Sequence, residues 1–263
     1  MVDRPTIAII NESTCVVDAT IKPIVDAIQI QIDRDFVPAW GPKSSAGFHV
    51  SGNVGANVTF VGKGQPVPAN AWPIGVCDNC AQADALGYHE EDNGIPTGWI
   101  GAEDDITYGS SLSVTIDHET LETIADPHID QIYTIVNPDG TQTQYCVEDS
   151  DAVEDDSLGY AINGVLMSDF QFPSWWSNPA SPLPGPYDFQ KKVTAPLQLL
   201  AGGYIGKQTI DANGKPQGWT QVTAQLLVPT YHPGFYKPAH VILPGSRRHR
   251  RIMKARKLLQ KNA

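Results

Sequence analysis

The sequence predicts an α/β chain of the α+β kind: a mixed sheet with one long motif helix, then a C-terminal β-hairpin region and a basic tail. Three observations carry this. Residues 6–10 (TIAII) form a short, wholly apolar run, the pattern of a strand buried on both faces. A stretch of helical periodicity follows it. Four short strand-like runs then precede a second long helix.

Taken in order, Asp18 is placed to cap a first helix running through about Asp33, with Ile21, Ile24, Val25, Ile28 and Ile32 along one face. Pro23 sits near its first turn, where proline is tolerated. Strands are expected at 57–61 (NVTFV), 72–77 (WPIGVC), 86–89 and 97–102, the last two separated by an acidic turn at 90–94. The second helix starts near 111–113 and stops at Ala125, because Asp126 precedes Pro127 and a residue before proline avoids the helical region. A strand at 132–136 leads to the turn signal Pro138-Asp139-Gly140. Hairpins are expected through Asn163-Gly164 and at 203–222 with residues 211–214 at the tip. Residues 173–186, rich in proline and tryptophan, suit an ordered irregular loop. The division expected is a domain over 1–172, a loop and hairpin subdomain over 173–244 packed on it, and a tail over 245–263.

Composition narrows the function. With 263 residues and 41% apolar content, a packed core is affordable and the composition argues against wholesale disorder. No apolar run is long enough to span a bilayer, and the start of the chain lacks the apolar stretch of a signal peptide. A soluble protein made without classical export, cytoplasmic in the producing cell, is the expectation. Four cysteines are too few for a disulfide framework, and Cys77 and Cys80 form half a zinc knuckle without a second pair. Ordinary buried thiols are expected. The net charge of -11 is strongly segregated. Residues 64–190 contain 22 acids and no lysine or arginine, whereas 247–263 contain eight basic residues and no acid. Such asymmetry concerns partners rather than fold. The acidic middle suits a cation or a basic partner. The tail suits an acidic protein surface or nucleic acid, and the pair suits a homo-oligomer.

The chemistry concentrates on His118-Glu119-Thr120-Leu121-Glu122. In the helix of a zinc peptidase, two ligands four residues apart face the same way, about 6 Å along the axis, and the residue after the first is the general base. On that pattern His118 and Glu122 are metal ligands and Glu119 takes a proton from the attacking water. Glutamate at 122 replaces the usual histidine, adds negative charge and favours harder ions, so Zn2+ has Ca2+ and Mn2+ as alternatives. Two residues compete as third ligand: Glu154, from a downstream acidic segment as in gluzincins, and His128, at the metzincin spacing but with Ala125 where metzincins have glycine. Asp126 is excluded, since eight helical residues rise ~12 Å. Met167 falls where metzincins place a methionine turn, although methionine more often fills a core. These features imply a zincin-like fold.

The chain also resembles a family of uncharacterised proteins from bacteriophages and bacterial genomes. The shared text is the helix from Ile116 to Pro127, then Glu154-Asp155-Asp156-Ser157-Leu158-Gly159-Tyr160, Ser168-Asp169-Phe170, Pro173-Ser174-Trp175, Gly202-Gly203-Tyr204-Ile205 and Gly218-Trp219-Thr220-Gln221. The likeness covers about residues 5 to 225. It implies Glu154 rather than His128 as third ligand, and it implies no activity. Two functions follow as expectations. One is a metal-dependent hydrolase, most simply a peptidase. The other is a catalytically inactive structural component of a phage virion (head, neck or tail) built on a metalloprotease-like fold.

Overall fold

Residue 6 begins β1 (Thr6–Asn11), the strand around which the larger sheet is built. The computed structural model describes residues 4–41, 55–80 and 85–224. The basic tail, with its expected partners, lies outside them. β1 is flanked by β2 (Asn57–Val61) and β3 (Trp72–Cys77), both parallel to it. β5 (Ile95–Gly101) runs parallel to β3, and β4 (Gly87–Asp92) closes the edge antiparallel to β5. The order is β2-β1-β3-β5-β4, a mixed sheet. Alternation along β1 explains its unbroken apolar text. Ile7 and Ile9 join the main core, while Ala8 and Ile10 join a smaller cluster with Val61 and Ala71. The strand expected at 97–102 begins earlier and is followed by an unforeseen helix, α3 (Ala102–Tyr108), whose acidic first turn suits a helix N-terminus. The turn expected across 90–94 contracts to Asn93-Gly94, both with positive φ.

The first helix, α1 (Asp18–Gln31), buries the isoleucine face its periodicity predicts, but two details differ. Its N-cap is Val17, and Asp18 sits in the first turn, where it accepts the side-chain N–H of Asn11 at 2.7 Å. The chain does not leave the helix near Asp33. It widens into a π turn (Ile32–Phe36), in which the Val37 N–H reaches the Ile32 carbonyl, and continues as α2 (Val37–Trp40). Pro38 lacks an N–H, so a wider turn ahead of it avoids wasting a regular pairing. The gain is apolar. Phe36 and Trp40 are both fully buried, with their rings stacked 5.5 Å apart.

The motif helix is α4 (Leu112–Ala125), ended by Asp126-Pro127 as predicted. Residues 113–125 are all buried, so α4 is enclosed by the molecule rather than lying on its surface. A second, four-stranded antiparallel sheet follows in the order β11-β10-β7-β6, from β6 (Ile132–Val136), β7 (Gln142–Cys146), β10 (Tyr204–Ile210) and β11 (Pro216–Thr223). β7 was not foreseen, because QTQYC has no apolar alternation. A small hairpin, β8 (Tyr160–Ile162) and β9 (Val165–Met167), turns through Asn163 and Gly164, both left-handed. Among the described residues no helix is long and apolar enough to cross a membrane.

Sheet and core alike cross the boundary expected at 172/173. β10, from the C-terminal part, pairs with β7, and a single apolar cluster extends from Ile7 to Ile205. Three tryptophans, Trp40, Trp175 and Trp176, cluster across that boundary, with the Trp176 ring 5.5 Å from Trp40 and 5.0 Å from Trp175. Each is fully buried and donates its indole N–H to a carbonyl, of Gln171, Gln198 and Cys146 respectively, at 2.9–3.0 Å. Of the four cysteines, all free thiols, only Cys146 is buried; Cys15 is exposed.

Residues 168–193 are held by two buried carboxyl groups. Asp169 accepts the N–H groups of Phe170 and Gln190, and Asp188 those of Lys192 and Val193. Burial, reinforced by Asp188, pushes the Asp169 carboxyl up to about 8. Unfolded, it would titrate near 3.8, so between these values the folded chain keeps a proton that the unfolded chain releases. Its contribution to stability is complete below about pH 4, declines as pH rises through that window and is gone above about pH 8. Asp169→Asn keeps the shape and the acceptor but cannot ionise. Thermal melts at pH 5 and pH 9 are expected to show a smaller loss on the alkaline side in Asp169→Asn than in the wild type. An unchanged loss would place the titration elsewhere.

Candidate metal centre

Helical spacing arranges the centre. Glu122 lies four residues after His118 and three after Glu119, so on α4 it neighbours both. Its two carboxylate oxygens serve the two directions. Oε1 lies 3.3 Å from His118 Nε2, and Oε2 lies 3.1 Å from Nδ1 of His89, on the edge strand β4. The same His89 Nδ1 is 3.6 Å from Glu119 Oε2, and its Nε2 is 3.9 Å from Glu148 Oε2. On the other side, His118 Nε2 lies 3.3 Å from Asp151 Oδ1. Two groups of ligand-capable atoms result, each within 4.8 Å of one another: His118, Glu122 and Asp151, and His89, Glu119 and Glu122. All are buried, and the His118 side chain, at 10% exposed, is the most open of them.

The sequence-derived residues divide. His118, Glu119 and Glu122 come together. Glu154 and His128 belong to neither group. His128 is half exposed and pairs with Glu91 at 3.0 Å, on the far side of Pro127 where the chain has left the helix. Glu154 lies one residue past the 3-10 turn Asp151–Val153, and it is Asp151, at the start of that turn, that reaches α4. The acidic block was thus visible, but not which acid turns inward. Ser150, left-handed with φ 71°, aims the turn. His89, Glu148 and Asp151 were missed. His89 sits in an acidic strand, GYHEED, whose text does not distinguish an inward imidazole from a solvated one. Met167, at 0% exposed, belongs to the core.

Electrostatics shows how tightly the centre is confined. Burial acts to lower the His118 pKa, but Glu122, Asp151 and Glu119 outweigh it and raise the imidazole well above its ordinary value. Burial pushes Asp117 up to about 8 against the opposing N–H of Ser168, and raises Asp149 well above the carboxylate range despite N–H groups from Ser150 and Gln171. No lysine or arginine occurs within 64–190 to neutralise these acids. Such a set needs protons or a cation. The donor set fits a divalent ion: one imidazole and two carboxylates in each group suit zinc or manganese, while calcium prefers oxygen alone. β4 passes directly over the motif. A Cβ at Gly87 would stand 2.8 Å from Glu119 Cγ.

The turn bearing Asp151 is fixed from behind. Leu200 donates its N–H to the Ala152 carbonyl at 3.0 Å, and a Cβ at Gly203 would fall 2.2 Å from that oxygen. Backbone, not a flexible side chain, blocks the position. Gly203→Ala is therefore expected to destabilise the chain by about 1–3 kcal/mol in urea melts, the usual cost of overpacking. A stability equal to the wild type would show that the turn is free to move.

No protein-family model, curated protein or solved structure matches the chain.

Proposed function

We propose that the chain is a metal-binding, zincin-like protein whose buried centre uses His118, Glu122 and Asp151 as ligands. The observation that carries this is their convergence: three buried side chains from a helix and a distant turn, with ligand atoms within 4.8 Å of one another. The mixed sheet ahead of the motif helix supports the zincin-like reading, as does the edge strand lying over the motif. Asp151 takes the place expected of Glu154. A bound divalent ion would supply Lewis acidity toward a carbonyl and water. Glu119, one residue after the first ligand, would accept the proton, so metal-dependent peptide hydrolysis is the activity these residues would carry.

One observation favours a second reading. Glu119 is only 3% exposed and is packed so closely against Gly87 that a Cβ there would stand 2.8 Å from its Cγ. A closed centre suits an ion that holds a fold together, as in a catalytically inactive virion component.

Metal content measured by inductively coupled plasma mass spectrometry on untagged protein tests the binding. Zinc or manganese at one ion or more per chain is expected in the wild type. His118→Ala and Asp151→Ala should lose an ion, and Glu154→Ala and His128→Ala should keep the full complement. A wild type that holds no ion after zinc, manganese or calcium is supplied overturns the proposal. Ion at about 100 times its Kd should also stabilise the fold by about 2.7 kcal/mol, reversed by chelator. Peptide hydrolysis abolished by chelator and by Glu119→Gln would select the peptidase. Metal-dependent stability with no hydrolysis would select the structural role.

A further inference from the structure

We propose that the centre holds two divalent cations rather than one, with the Glu122 carboxylate bridging between a His118/Asp151 side and a His89/Glu119 side. The inference rests on the metal-binding reading and extends it from one ion to two.

Three observations lead to it. The first is the division of the Glu122 oxygens: Oε1 faces His118 Nε2 at 3.3 Å, and Oε2 faces His89 Nδ1 at 3.1 Å. A carboxylate has two oxygens that can serve two ions at once, whereas a neutral imidazole offers one lone pair. The glutamate that stands where a zinc peptidase helix has histidine is thereby accounted for. It gives up a good ligand for one ion and provides a bridge for two.

The second is that each side brings its own imidazole and its own further carboxylate, from separate parts of the chain. His89 comes from β4, His118 from α4 and Asp151 from the turn after β7, with every one of these side chains at most 10% exposed. Glu148 adds a carboxylate oxygen 3.9 Å from His89 Nε2. The third is charge. Four carboxylates (Glu119, Glu122, Glu148 and Asp151) contact two imidazoles with no basic side chain within 64–190. One dication on the His118 side would be held by Glu122 and Asp151, while the His89 side has carboxylates of its own in Glu119 and Glu148. Two dications balance the four carboxylates, which is what burial requires of charge. Paired ions of this kind lie about 3.5–4 Å apart, within the span of one carboxylate bridge.

The test is ion stoichiometry with a magnetic readout on the full chain. Protein loaded with Mn2+ alone is measured for ions per chain by native mass spectrometry and for spin coupling by electron paramagnetic resonance. Two ions per chain with the spectrum of a coupled pair are expected. His89→Asn should retain one ion with an uncoupled spectrum, and Asp151→Asn should also fall to one. A single uncoupled ion in the wild type, lost in Asp151→Asn and kept in His89→Asn, would overturn the pair and leave the one-ion reading intact. A single ion lost in His89→Asn and kept in Asp151→Asn would overturn both the pair and the ligand set given above. No ion in the wild type would overturn both readings. If either variant fails to fold by circular dichroism, the wild-type stoichiometry and spectrum still decide between one ion and two.

Discussion

Buried carboxyl groups, in a stretch of sequence that holds no lysine or arginine, organise the interior of this molecule. Among the described residues, ten of the acids within this stretch, 64–190, are buried. An isolated charge in an apolar interior is too costly to persist, so each acid must bind a backbone N–H, keep a proton or contact a cation. The chain uses the first two solutions away from the motif helix. Asp126 accepts N–H groups from Asp130 and Gln131, Asp149 from Gln171, and Asp188 from Lys192 and Val193. These acids do the work that regular pairing does elsewhere, which is how residues 147–200 hold an ordered path with little sheet or helix. Only around Glu122 do several acids meet two imidazoles. There the carboxylates face imidazole nitrogens at 3.1–3.9 Å.

This changes the meaning of the acidic middle. As text it suits a docking surface for a basic partner, and most of its acids read as solvated. In the fold nearly half of them turn inward. The absence of lysine and arginine becomes a requirement of the centre: a long basic side chain nearby would occupy the carboxylates that face the imidazoles. A homo-oligomer formed by the tail on this region would have to use the remaining, outward acids.

Much of the fold was legible because its signals are local. Apolar and β-branched runs specified β1, β2 and β3, and Asn-Gly specified the small hairpin. Asp126-Pro127 gave the end of α4 to the residue. What escaped depends on distant contacts. β7 has no alternation of its own and exists because β6 and β10 flank it. The helix carried past Asp33 to Trp40 is stabilised by Trp176, far along the chain, against which Trp40 packs at 5.5 Å. The site divides in the same way. Spacing along one helix reveals His118, Glu119 and Glu122. Nothing in the text says that β4 delivers His89, or that the turn behind a left-handed Ser150 brings Asp151 to His118.

Position 122 is where sequence and structure inform each other most. Judged against a zinc peptidase, glutamate there is a defect: it adds charge and lowers the demand an ion makes on water. Judged against its surroundings, it is the one residue type that fits. Histidine at 122 would face His89 and His118 with a single lone pair, and would leave one of the two imidazoles without the carboxylate oxygen that ties the β4 side to the α4 side. Glutamine would keep the shape but remove a negative charge and replace one of the two oxygens with an N–H donor pointing at an imidazole. A carboxylate satisfies both directions at once. The substitution that weakens the motif as a peptidase signature is thus the same feature that makes the buried centre coherent.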